Sequence, residues 1–147
     1  MEKPMRVIFK AITLIAAVSF CDFGSAAPGP SEDYTSLKSA VLDGKDIRMT
    51  LDLSECTIPG TATSGPPIRG SLRFDAYMIQ NDQSIAFSMT HFTVRSDKTP
   101  VDEFLSFKVR PTGKVDAHTS FLNPTNYTVV YESAFDCAIG TGASFHW

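Results

Sequence analysis

The chain has 147 residues, with 13 lysines and arginines against 16 aspartates and glutamates, and a formal net charge of −3. This weakly acidic balance gives no support to nucleic-acid binding, which leaves a basic footprint on a domain. It gives none to binding at an anionic membrane surface either.

Residues 1–26 have the pattern of a secretory signal peptide. Three basic residues precede an apolar run from Ala11 to Phe20, and small residues follow it. That order is typical of a cleaved leader. A membrane-spanning helix needs about 20 apolar residues, and Asp22 ends this run earlier. A buried N-terminal helix would not explain the basic residues ahead of the run.

We predict cleavage after Ala26, because cleavage after Ala27 would place Pro28 directly behind the scissile bond. Cys21 follows a phenylalanine, whereas a lipoprotein signal needs a small residue there, so Cys21 leaves with the leader. The mature protein, residues 27–147, is then a single β-rich domain without a stable membrane anchor. Its predicted location is the periplasm or the extracellular space. The leader removes three of the basic and two of the acidic residues, which leaves a formal charge of −4.

Two cysteines remain in the mature chain, Cys56 and Cys137. In an oxidising compartment an even pair of cysteines predicts a disulfide. Two buried free thiols are the alternative. The sequence contains no Cys-x-x-Cys motif and no histidine beside either cysteine, so the spacing does not indicate a metal site. We expect neither a metal nor a cofactor.

One helix is predicted near the start of the mature chain. Tyr34, Leu37 and Val41 recur at helical spacing, and Gly44 stands where a helix C-terminus favours a left-handed residue. After Gly44 the hydrophobic period changes to two, which predicts strands with one buried face. Residues 57–67 are rich in glycine, proline and threonine and predict a loop.

About seven short strands follow the helix, separated by turn sequences such as Asn81-Asp82. Their predicted inward positions, strand by strand, are Ile47, Met49, Leu51 and Leu53; Leu72, Phe74, Ala76 and Met78; Ile85, Phe87 and Met89; Val101, Leu105, Phe107 and Val109; Val115, Ala117, Thr119 and Phe121; Tyr127, Val129 and Tyr131; and Ala143, Phe145 and Trp147.

The order of these elements predicts a mainly β fold. No second helix is present to serve as a parallel crossover, so neighbouring strands should pair antiparallel. A sheet with one apolar face must cover that face by curling or by folding over as a sandwich. We favour an antiparallel curved sheet or partial barrel with the N-terminal helix packed against it.

His91 is the candidate functional residue of the chain. Alternation from Ile85 places it on the apolar face of its strand, where it could act as a base with Ser88 or an acidic residue, or as a ligand in a pocket. A histidine at such a position is more often satisfied by a backbone carbonyl. A bulge would instead turn it outward and bring Phe92 and Val94 in. The sequence has no phosphate-binding loop, HExxH motif or EF-hand loop.

Several segments together resemble the VirK proteins, small exported bacterial proteins named for a virulence region. They are LDLSECT (51–57), IAFSMTHFTV (85–94), VDEFLSFKVRPTGKV (101–115), NPTNYTVV (123–130) and CAIGTGASF (137–145). The resemblance implies a bacterial, periplasmic or secreted protein with a link to host interaction. It implies no catalytic residues.

These observations favour a non-enzymatic protein-binding module whose partner is unknown. The first alternative is a small-molecule carrier, which needs a cavity of several hundred Å3. The remote alternative is a hydrolase that uses His91, which would need an acid and a nucleophile within hydrogen-bond reach. A binding module needs an exposed apolar patch, for which residues 57–67 are one candidate.

Overall fold

An eight-stranded sheet curled into a half-barrel forms the body of the protein. The computed structural model describes residues 32–147, so the predicted leader and the cleavage site at Ala26 and Ala27 lie outside it. The elements are α1 Glu32–Leu42, β1 Arg48–Asp52, β2 Arg69–Arg73, β3 Tyr77–Gln80, β4 Ser84–Val94, β5 Pro100–Val109, β6 Lys114–Leu122, β7 Val129–Ile139 and β8 Gly142–His146. The mainly β fold class predicted from the sequence is confirmed.

Helix α1 covers one end of the curled sheet. Tyr34, Leu37 and Val41 are buried in the same hydrophobic core as the sheet residues, as their spacing predicts. Gly44 has a φ of 68°, and the amide of Lys45 donates to the carbonyl of Ala40 at 3.0 Å. This is the Schellman arrangement that ends a helix. No helix among residues 32–147 is long and apolar enough to span a membrane.

The inward side chains of strands β4 to β7 form four layers across the concave face, because the strands pair in regular register. The two layers nearest α1 are fully apolar and buried. The third mixes apolar and hydroxyl side chains, and the fourth lies at the open end. In this order the layers are Ile85, Val109, Val115 and Cys137; Phe87, Phe107, Ala117 and Phe135; Met89, Leu105, Thr119 and Ser133; and His91, Glu103, Phe121 and Tyr131.

The two edges of the sheet are held together by one short piece of chain. Strand β2 is one edge and β3 is the other, in the order β2-β1-β8-β7-β6-β5-β4-β3. Only residues 74–76 connect them, and the four Cα–Cα steps from Arg73 to Tyr77 span at most about 14 Å even when extended. The curled sheet therefore nearly closes on itself there, and we call the gap between the edges the seam.

The sequence predicts one strand where the structure has two. Apolar and polar residues alternate in the sequence from Leu72 through Phe74 to Met78. The pattern therefore gives no sign that the chain crosses the seam at residues 74–76. Phe74 is buried, but Met78 is exposed and Ile79 packs against the core instead. The prediction that Ala76 and Met78 face inward was wrong, because the connecting residues shift the phase of the alternation by one.

Strand β8 differs from the predicted antiparallel pairing. It pairs antiparallel with β1, but it pairs parallel with β7 over Ala138↔Gly142 and Ile139↔Ala143. The tight turn between β7 and β8 contains Gly140 and Gly142, which both have a φ of 81°, a conformation that glycine adopts without strain. The other strand pairs are antiparallel, as predicted.

The structure joins Cys56 and Cys137 through a disulfide, with an S–S distance of 2.01 Å and a Cα–Cα distance of 4.5 Å. The disulfide links the start of the predicted loop to β7. Thr57 and Asp136, the next residues, exchange two backbone hydrogen bonds at 2.8 and 2.9 Å. The base of the loop at residues 57–67 is thus fixed to the sheet.

A group of charged side chains stabilises the β5–β6 hairpin. Arg110 Nη2 lies 2.6 Å from Asp116 Oδ2, and Lys114 Nζ lies 3.3 Å from Asp116 Oδ1 and 3.1 Å from Asp136 Oδ1. Partial burial acts to raise the pKa of Asp116, but the hydrogen bonds from Arg110 and Lys114 outweigh it and hold that pKa below its usual value. Asp116 therefore contributes stability only while it is ionised.

We expect the free energy of unfolding to fall as the pH drops from about 5 through 3.9, the ordinary pKa of aspartate. In that window the unfolded chain binds more protons than the folded one, so acid favours unfolding. Asp116→Asn should lower the free energy of unfolding at pH 7 by about half a kcal/mol, a small effect because the ion pairs of Asp116 are partly solvated. It should also make the free energy of unfolding fall less steeply with decreasing pH. Urea titrations at pH 7, 5 and 3 measure both effects, with Asp43→Asn as the control. An unchanged pH slope in Asp116→Asn would contradict the assignment.

Candidate functional site: the open end of the half-barrel

A cavity of about 390 Å3 lies inside the open end of the half-barrel, on the concave face and away from α1. Its wall is mostly apolar, and it reaches from β2, at one edge of the sheet, across the interior to β4, next to the other edge strand. The residues that line it are Leu51, Leu53, Pro66, Ile68, Gly70, Ser71, Leu72, His91, Glu103, Leu105, Thr119, Phe121, Tyr131, Ser133 and Phe135. Polar groups from four neighbouring strands, β4 to β7, therefore converge on an apolar chamber.

The cavity exists because the layers change in size along the barrel. Near α1 the phenylalanine layer fills the interior, and the rings of Phe74 and Phe87 stack with centroids 4.6 Å apart. One layer further, Ser133 on β7 takes the place of Phe135, and the short side chain of Thr119 lies beside it on β6. Short side chains opposite one another leave volume that the helix does not reach, since no α1 residue lines the cavity.

His91 faces the cavity and pairs with an acidic residue. Its Nε2 lies 3.0 Å from Glu103 Oε2, across directly paired positions of β4 and β5. Its Nδ1 is buried and has no hydrogen-bond partner among the residues described. Because the carboxylate accepts from Nε2, a neutral imidazole presents Nδ1 as an acceptor. In the described chain this nitrogen is therefore left as a buried, unpaired acceptor.

The alternation that places His91 inward is borne out by the strand geometry. The β4–β5 register runs without a shift from Ile85↔Val109 to Val94↔Pro100, so no bulge turns the strand. Phe92 and Val94 point outward and are 63% and 57% exposed. Ser88 is exposed on the opposite face from His91, so the serine first considered as its partner is not in the cavity.

Glu103 was missed as a site residue although the sequence carried a signal for it. It lies between Val101 and Leu105 at the same period of two, so a charged residue stands at an inward position of a buried strand. The hydroxyls of Thr119 and Ser133 line the same cavity, but no hydrogen bond joins either of them to His91 in the described chain. The structure therefore contains an acid–histidine pair without a nucleophile bound to it.

Exposed apolar side chains lie at and near the mouth of the cavity. Ile68 and Tyr131 both line the cavity and are 56% and 52% exposed. Tyr127, Val129 and Val130, which precede Tyr131 closely along the chain, are exposed as well. We call these five residues the rim. The predicted loop contributes to the mouth through Pro66 rather than through the whole of residues 57–67.

The other two histidines lie elsewhere. His118 faces the convex side of β6, and His146 is exposed near the end of β8. Among residues 32–147 no group of three histidine, cysteine or acidic side chains is placed to hold a metal ion.

The fold and the site define a class of small β proteins, in which a half-barrel is plugged by one helix at one end and opens into an apolar cavity at the other. Comparison with known proteins gives the family. The model of the family described as VirK protein matches residues 30–127. The chain belongs to the VirK family, as its sequence segments indicated.

Its relatives include two curated proteins. One is the uncharacterized protein y4wH of Sinorhizobium fredii, which is 34% identical over 76% of this chain and 78% of its own length. The other is an uncharacterized protein from the region 3′ of pinF2 in Rhizobium radiobacter, which is 36% identical over 76% of this chain and 77% of its own.

The crystal structure of a VirK family protein from Legionella pneumophila has the same fold. It superposes with a TM-score of 0.68 and covers 78% of this chain and 95% of its own, at 23% identity. Identity at that level establishes the shared fold and nothing about a shared ligand.

Proposed function

We propose that this VirK protein is an exported, non-enzymatic binding protein that recognises another protein through the open end of its half-barrel. The observation that carries the proposal is the 390 Å3 cavity, which opens beside the exposed apolar rim. A protein interface concentrates its binding energy where one side chain fills a desolvated pocket inside a ring of weaker contacts. The cavity supplies such a pocket and the rim supplies such a ring.

The exposed rim favours a protein partner. Contiguous apolar surface on a soluble domain marks an interaction site more often than an ordinary surface. The rim combines two tyrosines with three aliphatic side chains, and tyrosine is enriched where proteins bind one another.

The geometry around His91 favours binding over hydrolysis. Nucleophilic catalysis needs a nucleophile within hydrogen-bond reach of its base, and Nδ1 of His91 has no such partner in the part of the chain described. Glu103 fixes the ring but does not supply the attacking group. The pair therefore forms part of the cavity wall without the arrangement that hydrolysis needs.

Export is supported by the leader pattern of residues 1–26 and by the Cys56–Cys137 disulfide. Disulfides persist in the periplasm and outside the cell and are rare in the cytosol. We therefore propose the periplasm or the extracellular space as the place of action. The link to host interaction that the family resemblance implies is part of the same proposal.

A small-molecule carrier is the second candidate function. The volume of the cavity favours it, since ligand pockets run from about 300 to 1,000 Å3. The carrier and the protein-binding module differ in whether the cavity is filled by a free molecule or by a side chain of a partner.

Affinity capture with a cavity-filling variant tests the proposal. The bait is the disulfide-bonded protein purified from periplasm, whose mass is expected to show Ala27 as the first residue. Ser133→Trp places an indole in the cavity, whereas Ala134→Trp, one residue along β7, places it on the exposed convex face. We expect wild type and Ala134→Trp to retain the same protein and Ser133→Trp to lose it.

Three results would contradict this proposal. If Ser133→Trp captures the partner as well as wild type does, the binding site lies outside the cavity. A small molecule found on the native protein by mass spectrometry, and lost in Ser133→Trp, would assign the carrier function instead. Protein found in the cytosol with Met1 still at its N-terminus would contradict export. Thermal melting of both variants establishes that each is folded, and Ser133→Phe replaces Ser133→Trp if it is not.

A further inference from the structure

We propose that the outer edge of β4, over Ser88–Val94, accepts an extended segment of a partner protein as an added β-strand. One large apolar side chain of that segment occupies the cavity. The inference rests on the proposed function and specifies how the partner is held.

The edge is open because β3 is shorter than the strand beside it. Strand β3 pairs with β4 only over Ser84–Phe87, whereas β5 pairs with β4 along Ile85–Val94 on the other side. No strand of the described chain therefore pairs with the outer side of Ser88–Val94. In an extended strand half of the backbone groups point to each side, so these seven residues present hydrogen-bonding groups to the seam.

This edge lacks the features that protect natural sheet edges from pairing. Proteins block such edges with charged side chains, prolines or bulges. The sequence here is SMTHFTV, which contains no lysine, arginine, acidic residue or proline. Its register with β5 is regular along the whole length. An unprotected edge of this length is suited to accept another strand.

The cavity lies directly beside this edge. His91 lines it from β4, while Gly70, Ser71 and Leu72 line it from β2 on the far side of the seam. Consecutive residues of β2 point to opposite faces, so the cavity extends around that edge and opens through the seam. A strand added to β4 would direct alternate side chains into this space. Backbone pairing then supplies affinity, and the pocket supplies specificity.

The charges along the seam indicate the chemistry of the occupant. Ser88–Val94 contains no lysine, arginine or acidic residue, and the arginines of the opposite edge are already paired, Arg69 with Asp52 and Arg73 with Asp46. A strand with uncharged side chains and one large apolar residue complements this surface. The protein's own N-terminal residues do not fit, because only residues 27–31 would precede α1 after cleavage and two of these five are prolines without a backbone N–H.

A peptide display experiment tests the inference and does not require the partner to be identified first. A random 12-residue library is selected on the disulfide-bonded protein spanning residues 27–147, and enriched sequences are synthesised. We expect uncharged sequences with one large apolar position. Methylation of alternate backbone nitrogens of the peptide should weaken binding at least about tenfold, and methylation of the intervening ones less than about twofold.

Two readouts on the protein accompany these measurements. Amide hydrogen exchange within Ser88–Val94, followed by NMR, should slow in the complex. Ser133→Trp should weaken peptide binding at least about tenfold and Ala134→Trp less than about twofold.

Four outcomes would overturn strand addition. They are enrichment of no peptide, binding that leaves exchange over Ser88–Val94 unchanged, binding that is equally sensitive to methylation at every position, and a dimer without peptide that protects this same edge. The last outcome, detected by light scattering, would assign the edge to a second copy of the chain. A captured protein that is lost in Ser133→Trp, but does not slow exchange over Ser88–Val94, would keep the proposed function and reject the strand.

Discussion

Replacing Cys56 and Cys137 together with alanine is expected to lower the free energy of unfolding by about 4 kcal/mol. The disulfide closes a loop with a sequence separation of 81 residues, and the chain-entropy model gives a stabilisation of about 4.5 kcal/mol for a ring of that size. For a domain of this length the melting temperature should fall by about 15 °C. Urea denaturation and thermal melting measure the two quantities.

Reduction supplies the control for this prediction. Wild type in excess dithiothreitol should melt near the double variant, and the double variant should not respond to dithiothreitol. A wild-type protein whose melting temperature is unchanged by reduction would contradict the predicted stabilisation. Thiol titration of the unreduced, denatured protein should find both cysteines unreactive.

Gly142→Ala is expected to lower the free energy of unfolding by about 3 kcal/mol, the second largest effect that we predict. Gly142 has a φ of 81°, a conformation that costs an L-residue about 1 kcal/mol or more. A Cβ built there would also fall within 3 Å of the sulfur of Cys56 and lie 3.3 Å from the carbonyl oxygen of Asp52. Both cysteines are buried, and overpacking of a filled interior costs about 1–3 kcal/mol.

Gly140→Ala is the matched control. Gly140 has the same φ of 81°, but a Cβ built there meets nothing within 4 Å. Gly140→Ala should lower the free energy of unfolding by about 1 kcal/mol, which is the cost of the backbone conformation alone. In the Cys56→Ala, Cys137→Ala background the cost of Gly142→Ala should fall towards that of Gly140→Ala, since the obstructing sulfur is gone. Equal costs for the two glycines in wild type would contradict the steric argument.

The sequence predicted the elements whose signals are local. Helical spacing located α1, and a period of two located the inward faces of the long strands, because each pattern depends on neighbouring residues. The crossing of the seam at residues 74–76 was not predictable in this way. Whether β2 pairs with β1 or with β4 depends on partners far along the chain, and the alternation through Phe74 continues across the break.

The candidate site was predicted only in part for the same reason. The inward position of His91 follows from the alternation of its own strand. The cavity does not, because Leu51, Leu72 and Ser133 come from strands that meet only after the sheet has curled. Glu103 was visible in the sequence as a charge at an inward position, and alternation alone would have placed it near the imidazole.

Strand β8 has a consequence for the timing of folding. It lies between β1 and β7, and its residues Ala143–His146 pair with β1, almost the full length of the described chain away. During synthesis β1 is made early. Its partner β8 becomes available for pairing only when residues 142–146 leave the ribosome. A nascent chain that stops short of Gly142 holds two separate fragments of sheet. The sheet can therefore become continuous only after residues 142–146 have been made.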